Sequence, residues 1–238
     1  MNLLDGVLLV DKPQDWTSHD VCAFVRKRFK IKKVGHAGTL DPLATGLLVL
    51  LLGQATKLSM TLGSCDKDYA GIMELGIKTA SQDKQGSVLA TASYEGVTLE
   101  KIREAAQQFS GEITQVPPMV SAIKHQGVPL YKFARRGVEV PRESRPVHVY
   151  RFDIEKMEGP FVHFSTKVSK GTYVRTLAHD LGESLGCYAA LAGLRRTRSG
   201  KFSVEDSVTV ETLRQWTLEN LREKIFPLKA CDASLHKV

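Results

Sequence analysis

Six consecutive apolar residues at positions 47–52 lie between two glycines, and this run constrains the fold more than any other feature. Its length suits a strand buried on both faces, and it is far below the roughly 20 residues that a helix needs to cross a bilayer. The preceding segment, residues 31–46, contains three glycines, which allow sharp turns or close approach to a ligand. The pattern therefore predicts a glycine-rich loop anchored directly to a buried strand.

Asp41 is the most informative residue in this loop. It precedes Pro42, which disfavours the α region for the residue before it, so Asp41 is predicted to be extended with its carboxylate projecting from the loop. An exposed carboxylate on a rigid scaffold is a common form of catalytic site. An aspartate before proline is also frequent in turns for purely local reasons, so the segment alone leaves both interpretations open. A phosphate-binding loop is less favoured, because no Gly-Lys-Ser/Thr follows.

The rest of the chain predicts one α+β domain spanning residues 1–238. Strands outnumber helices and do not strictly alternate with them, which favours a mixed, largely antiparallel sheet flanked by helices. Helices are predicted to begin after Thr17 or Ser18, Thr98 and Thr172, and a last helix to cover residues 210–225. A short basic helix is predicted near residues 130–136. Strands are predicted at residues 6–11, 47–52, 69–77, 87–93, 147–157 and 161–168, and a basic strand or loop at residues 194–202.

The charge balance favours a polyanionic partner. The chain has 33 Lys and Arg against 26 Asp and Glu, a net charge of +7 and a pI of about 9.2. A single cluster of basic residues is as readily explained as a solvated surface, but three such clusters in one basic chain favour nucleic acid as the partner. The clusters are residues 26–33, the group Lys132, Arg135, Arg136, Arg142 and Arg145, and the group Arg195, Arg196, Arg198 and Lys201.

Potential metal ligands are sparse. The cysteines Cys22, Cys65, Cys187 and Cys231 are far apart, with no Cys-x-x-Cys pair, so neither a zinc site nor a disulfide framework is predicted. His179 and Glu183 have i, i+4 spacing, but two ligands on a helix are weak evidence, and we interpret them as surface residues. The N-terminus shows no basic region before an apolar segment, so no signal peptide is expected. These features predict a protein of the reducing cytoplasm, with no metal and no membrane association.

Two segments resemble the signatures of a known family. The runs GHAGTLDPLATGLLVL and GVLLVDKPQDWTSHD are similar to those of the TruB family, the bacterial tRNA pseudouridine-55 synthases. Later motifs follow in the family's order, and the resemblance covers residues 5 to about 230. It implies the pseudouridine-synthase fold and the isomerisation of uridine 55 in the T-loop of tRNA. It also implies the T-arm of tRNA as partner and no cofactor. A monomer with no obligate protein partner is predicted.

The resemblance assigns roles to individual residues. Asp41 matches the family's essential catalytic aspartate, Arg175 an arginine that pairs with that aspartate, and Tyr69 a tyrosine that stacks on the target base. His36 matches a histidine that contacts the RNA near the flipped-out nucleotide, and Leu194 an apolar wall of the pocket. The remaining matches are supporting, substrate-binding positions: Lys12, Lys57 and Tyr173. On their own, Tyr69 is more often a core residue, His36 an ordinary loop histidine and Arg175 a phosphate contact.

The sequence departs from the family pattern in two places. Family members often carry Thr-Asp-Thr-x-Asp after the Tyr69 strand, whereas this chain has residues 79–83 as TASQD, which loses one acid and keeps Asp83. Larger members also carry a C-terminal PUA domain, and no complete one is expected here. A non-catalytic RNA-binding module and a metal-dependent nuclease are the alternative functions. The role of Asp41 also stays open, between attack at C1′, attack at C6 and assistance at C2′.

Overall fold

The computed structural model describes residues 4–228, in which strands predominate. The strands are β1 Gly6–Lys12, β2 Val34–His36, β3 Thr45–Leu52, β4 Lys67–Leu75, β5 Ile77–Thr79, β6 Val88–Thr91, β7 Gly111–Gln115, β8 Lys124–His125, β9 Val128–Pro129, β10 Arg145–Glu158, β11 Phe161–Val168, β12 Ala189–Ser199, β13 Phe202–Ser203, β14 Val208–Thr209 and β15 Phe226–Pro227. The α-helices are α1 Ser18–Phe29, α2 Ser59–Gly63, α3 Leu99–Gln107, α4 Leu130–Ala134, α5 Val174–Ser184, α6 Val210–Gln215 and α7 Leu218–Lys224. Short 3-10 helices cover Gly53–Leu58 and Val204–Asp206.

The chain forms two compact units, of which the first comprises residues 4–69 and 194–228. At its centre β1 pairs antiparallel with β3 along its whole length, from Gly6 opposite Leu52 to Lys12 opposite Gly46. On its other side β1 pairs in parallel with β14 and antiparallel with β15. β2 lies antiparallel on β3, and the end of β12 runs parallel to β3 at Thr45 and Gly46. This sheet holds the segment that follows His36.

Local sequence accounts for the two elements that flank this segment. β3 is buried along almost all of its length, because its apolar side chains pack on both faces of the sheet, as the sequence predicts. α1 begins after Thr17, whose side chain accepts from the N–H of Asp20, while the Asp20 carboxylate accepts from the N–H of Thr17. This capping box satisfies two backbone donors that the first turn would otherwise leave unpaired.

The second unit comprises residues 70–193. Here β4 lies between β12 and β11, and β10 lies between β11 and β7. Gly71 of β4 lies against the ring of Phe164, where an added Cβ would come within 2.2 Å of the ring, so glycine is required for this close packing. α3 lies against β10, where Arg103 donates to the carbonyls of Ile154 and Glu155. Both units together confirm the predicted α+β class with a mixed, largely antiparallel sheet.

Several predicted element boundaries were wrong. The last helix is two helices, because Thr217 forms a second capping box with Asn220 and begins α7. The loop predicted at residues 31–46 contains β2, and β7 was not predicted. The N-cap residue of α5 is Tyr173, whose side chain makes no capping hydrogen bond, whereas Thr172 was predicted to cap this helix. The single-domain organisation stays a prediction, and Cys231 lies outside the described residues. Within residues 4–228 no helix is both long and apolar enough to span a bilayer.

Candidate active site around Asp41

Hydrogen bonds from α1 and from the strand-to-helix turn fix the loop that carries Asp41. The Ser18 hydroxyl accepts from the N–H of Leu40 at 2.8 Å and donates to the Leu40 carbonyl at 3.1 Å. On the other side of Asp41, the carbonyl of Pro42 accepts from the N–H of Asp15 at 2.9 Å. Asp41 is half-buried and begins a turn, since its own carbonyl accepts from Ala44 N–H at 3.1 Å. The residue is therefore both a turn residue and a carboxylate on a rigidly held loop.

Lys12 brings a buried positive charge to the same loop. Its side chain is 0% exposed, and its ammonium group donates to the carbonyls of Trp16 at 2.6 Å, Pro13 at 2.8 Å and Pro42 at 3.4 Å. Burial lowers the pKa of Lys12 from 10.5 to about 8, and the nearby charges of Asp41 and Asp15 oppose that shift. Lys12 thus connects the loop to the end of β1, and its positive charge interacts favourably with the carboxylate of Asp41.

The lowered pKa of Lys12 predicts a specific pH dependence of stability. Between pH 8 and 10.5 the unfolded chain binds a proton at Lys12 that the folded chain has lost, so the free energy of unfolding rises with pH in that window. We expect the difference in unfolding free energy between the wild type and Lys12→Met to grow by up to about 1.4 kcal/mol per pH unit there. Urea unfolding of both proteins across this range measures the difference. If the difference in unfolding free energy did not change with pH, the lowered pKa of Lys12 would be contradicted.

His36, at the end of β2, is half-buried close to this loop. Burial lowers the pKa of His36, the charge of Arg196 lowers it further, and a hydrogen bond to the backbone of Gly38 opposes both. The ring is therefore neutral at pH 7. Its buried Nδ1 finds no hydrogen-bond partner among residues 4–228. Because this nitrogen is buried, it is not accessible to RNA here, and the RNA contact of His36 stays a prediction.

The other predicted residues of the first unit differ in exposure. Tyr69, in β4, is 9% exposed, and Lys57 is exposed on the 3-10 helix after β3. Leu194 is half-buried in β12, and its carbonyl accepts from the Thr45 hydroxyl at 3.4 Å, beside the end of the Asp41 loop. Base stacking by Tyr69 and the pocket wall at Leu194 stay predictions.

Arg175 belongs to the second unit, where it is 2% exposed near the start of α5. Its guanidinium donates to the carbonyls of Ser81 at 3.0 Å and Val120 at 2.9 Å, and lies 3.7 Å from the carboxylate of Asp83. Asp83 is 5% exposed and accepts from the Ser81 hydroxyl at 2.6 Å and Gln85 N–H at 3.0 Å. Asp83 was not among the predicted site residues, although its presence in the TASQD run was a signal. The pairing of Arg175 with Asp41 stays a prediction.

Tyr173, the other predicted residue of the second unit, is held through its backbone. Gln115 accepts from its N–H at 3.0 Å and donates to its carbonyl at 3.2 Å. Guanidinium groups lie over its ring, Arg145 at 5.0 Å and Arg175 at 5.8 Å from the ring centre. Sequence reasoning missed Gln115, because nothing in the local pattern links it to a residue 58 positions later.

The structure divides the three basic clusters into structural and exposed residues. Arg195 forms a two-point ion pair with Asp11 at 2.6 and 3.0 Å, and Arg196 is buried. Arg196 is therefore not part of an RNA-facing surface, contrary to the interpretation of its cluster. Arg28 is exposed, although its guanidinium also donates to the carbonyls of Arg214 and Trp216. The exposed members are Lys27, Arg28, Lys30, Lys32, Lys33, Lys132, Arg135, Arg136, Arg198 and Lys201.

His179 and Glu183 are part of a small polar network on α5. The carboxylate of Glu183 lies 2.8 Å from the ammonium of Lys78 and 3.7 Å from Nε2 of His179. The described part of the chain contains no group of three or more His, Cys, Asp and Glu that could hold a metal ion. Cys22, Cys65 and Cys187 are free thiols.

Solved structures share the fold of this chain. The fold is that of the pseudouridine synthases. The chain superposes on a structure described as a Cbf5–Nop10–Gar1 complex with a TM-score of 0.76 and 32% identity, covering 97% of this chain and 62% of that chain. A second structure, of an archaeal box H/ACA sRNP Nop10–Cbf5 complex, gives a TM-score of 0.71 and 29% identity, covering 98% of this chain and 62% of that chain. The chain thus spans about 62% of the length of these two structural relatives.

The sequence comparisons define the family. The N-terminal domain of the TruB family pseudouridylate synthases matches residues 26–174, and the C-terminal domain of tRNA pseudouridylate synthase B matches residues 175–232. The chain belongs to the TruB family. It is 50% identical over 225 residues to the tRNA pseudouridine synthase B of Opitutus terrae, covering 94% of this chain and 93% of that protein. It is 45% identical over 232 residues to that of Vibrio parahaemolyticus, covering 98% of this chain and 74% of that protein.

Proposed function

We propose that this chain is a tRNA pseudouridine synthase that isomerises uridine 55 in the T-loop. The observation that carries the proposal is Asp41, a carboxylate on a loop pinned by Ser18 and Lys12 in a member of the TruB family. In the reaction the N1–C1′ bond breaks, the uracil turns, and C5 bonds to C1′. The C5 proton leaves and N1 gains one, so formula and oxidation state are unchanged. The residues of this chain are therefore proposed to suffice without a cofactor.

Asp41 is the proposed catalytic group. A carboxylate beside the sugar can act as a nucleophile or stabilise developing positive charge. Attack at C1′, attack at C6 and assistance at C2′ all place the carboxylate next to the target nucleotide. Lys12 contributes a positive charge beside it and holds the Pro42 carbonyl, which limits the movement of Asp41 during the reaction.

The target base must leave the stack of the folded T-loop before Asp41 can reach it. Tyr69 is proposed to stack on the flipped base, an interaction worth roughly 1–3 kcal/mol. His36 is proposed to contact the RNA near that nucleotide, Leu194 to form an apolar wall, and Lys57 and Tyr173 to support binding. The exposed lysines and arginines would neutralise phosphates of the T-arm. We further propose that the enzyme is monomeric and cytoplasmic and has no obligate protein partner.

Release of tritium from C5 tests this function. We expect the protein to release tritium from an unmodified tRNA transcript labelled at C5 of uridine, with release unaffected by excess EDTA once the tRNA is folded. A transcript with cytidine at position 55 is the matched control and should release none from that site. Unchanged release from the control transcript would place the reaction elsewhere, and RNA strand cleavage in place of release would favour the nuclease.

A further inference from the structure

Arg196 is a buried cation that the proposed mechanism does not use. It is 1% exposed, one of the largest fully buried side chains among the described residues. It lies in β12, which pairs in parallel with β3 by placing Arg196 opposite Gly46. This pairing brings its backbone to the end of the Asp41 loop. The approach is so close that a Cβ on Gly46, whose φ is +94°, would lie 2.4 Å from the Arg196 carbonyl oxygen.

The guanidinium of Arg196 contacts both ends of the Asp41 loop. Its Nη2 donates to the carbonyl of Gly38 at 3.2 Å, before Asp41, and its Nε donates to the carbonyl of Leu47 at 2.7 Å, after it. One planar, rigid donor group thus spans the segment between residues 38 and 47. A lysine ammonium donates from one nitrogen atom, so it cannot reproduce the two separate nitrogen positions from which Arg196 donates.

A buried guanidinium is a costly way to satisfy two carbonyls. Both of these hydrogen-bond acceptors are neutral backbone groups, and the charge is felt by two other site residues, Lys12 and His36. Burying a charge costs free energy that neutral donors would avoid. Such a charge under a loop that presents a carboxylate is better explained by function than by stability alone.

We propose that Arg196 is a positioning residue that brackets the catalytic loop and holds Asp41 in its reactive conformation. The expected effect on isomerisation rests on the proposed function, but the restraint of the loop by Arg196 does not depend on that function. Arg196 does not touch the RNA in this account. Loss of the bracket should therefore lower the rate of the chemical step and leave tRNA affinity nearly unchanged. This differs from a phosphate-binding arginine, whose loss weakens affinity and lowers its salt dependence.

The test compares Arg196→Gln with a matched control, Arg103→Gln. Arg103 also donates to two backbone carbonyls, but in the second unit. For Arg196→Gln we expect kcat per folded molecule to fall by about 100-fold, the cost of a small misplacement of a catalytic group. The Kd for tRNA should stay within about threefold, since no phosphate contact is lost. Arg103→Gln should leave both kcat and Kd unchanged. A weakened Kd with unchanged kcat for Arg196→Gln would overturn the proposal.

Hydrogen exchange of the loop amides separates this proposal from the proposed function. Amides of residues 38–47 should exchange about tenfold faster in Arg196→Gln than in the wild type or in Arg103→Gln, because the loop opens locally more often. This result is expected even if the wild type releases no tritium, which would count against the proposed function alone. If Arg196→Gln fails to fold, Arg196→Lys replaces it, and both its kcat and its loop protection should still fall. If the amides of residues 38–47 exchanged as slowly in either folded variant as in the wild type, the proposal that Arg196 holds this loop would be refuted.

Discussion

Asp41→Asn is expected to bind tRNA with nearly wild-type affinity and to leave uridine 55 unconverted. The amide keeps the size of the side chain and the backbone bonds of the loop, which run through Ser18 and Pro42. It removes the charge on which every candidate role of Asp41 depends. Loss of a catalytic group of this kind lowers the rate by roughly 10⁴-fold or more. Single-turnover tritium release and filter binding measure the two quantities.

Asp15→Asn is the matched control for this substitution. Asp15 also lies near Lys12, and its backbone conformation, with φ of 64°, is one that asparagine tolerates. Its N–H still reaches the Pro42 carbonyl in the variant. We expect a rate within about threefold of the wild type, because the change is confined to one charge outside the reacting groups. Equal losses in both variants would mean that the loop needs negative charge in general and not a catalytic carboxylate at residue 41.

Arg175→Met is expected to lower both stability and activity, and a second substitution should separate the two effects. The methionine leaves the buried carboxylate of Asp83 without its cation, a loss worth about 3–5 kcal/mol. The double variant Arg175→Met/Asp83→Asn removes the unpaired charge, and its amide oxygen can still accept from Ser81 and Gln85. Urea unfolding should show that the double variant recovers most of the lost stability.

Activity should not recover in the double variant if Arg175 acts in the reaction. We expect both the single and the double variant to remain slower than the wild type by on the order of 10²–10³-fold, the typical cost of removing one preorganised charge from an active site. Single-turnover tritium release with folded protein measures this rate. A double variant that is both stable and fully active would show that Arg175 is a structural residue of the second unit.

The sequence predicted those elements whose signals are local. β3 follows from one apolar run between glycines, and α1 and α3 begin directly after Thr17 and Thr98, whose side chains cap them as expected. The loop with Asp41 was predicted because proline and glycine restrict or free the backbone at known positions. The break between α6 and α7 was missed because the apolar pattern continues across it, although the Thr217–Asn220 capping box was present in the sequence.

The rest of the candidate site depends on which strands become neighbours. Arg196 resembles Arg195 and Arg198 in sequence, and only the pairing of β12 with β3 buries it under the Asp41 loop. Gln115 reaches the backbone of Tyr173 for the same kind of reason, since strand β7 ends next to the start of α5. A sequence read in order does not contain these long-range contacts. Basic residues were therefore assigned to RNA binding as a group, and part of that group is structural.

Nucleotide-resolved mapping of pseudouridine tests the central claim most directly. One unmodified tRNA transcript is incubated with the wild type and, in parallel, with Asp41→Asn at concentrations that saturate binding. We expect one pseudouridine, at position 55, after incubation with the wild type, and unmodified uridine at that position after incubation with the variant. Pseudouridine at position 55 formed by Asp41→Asn, or an unmodified position 55 after incubation with the wild type, would contradict the proposed function.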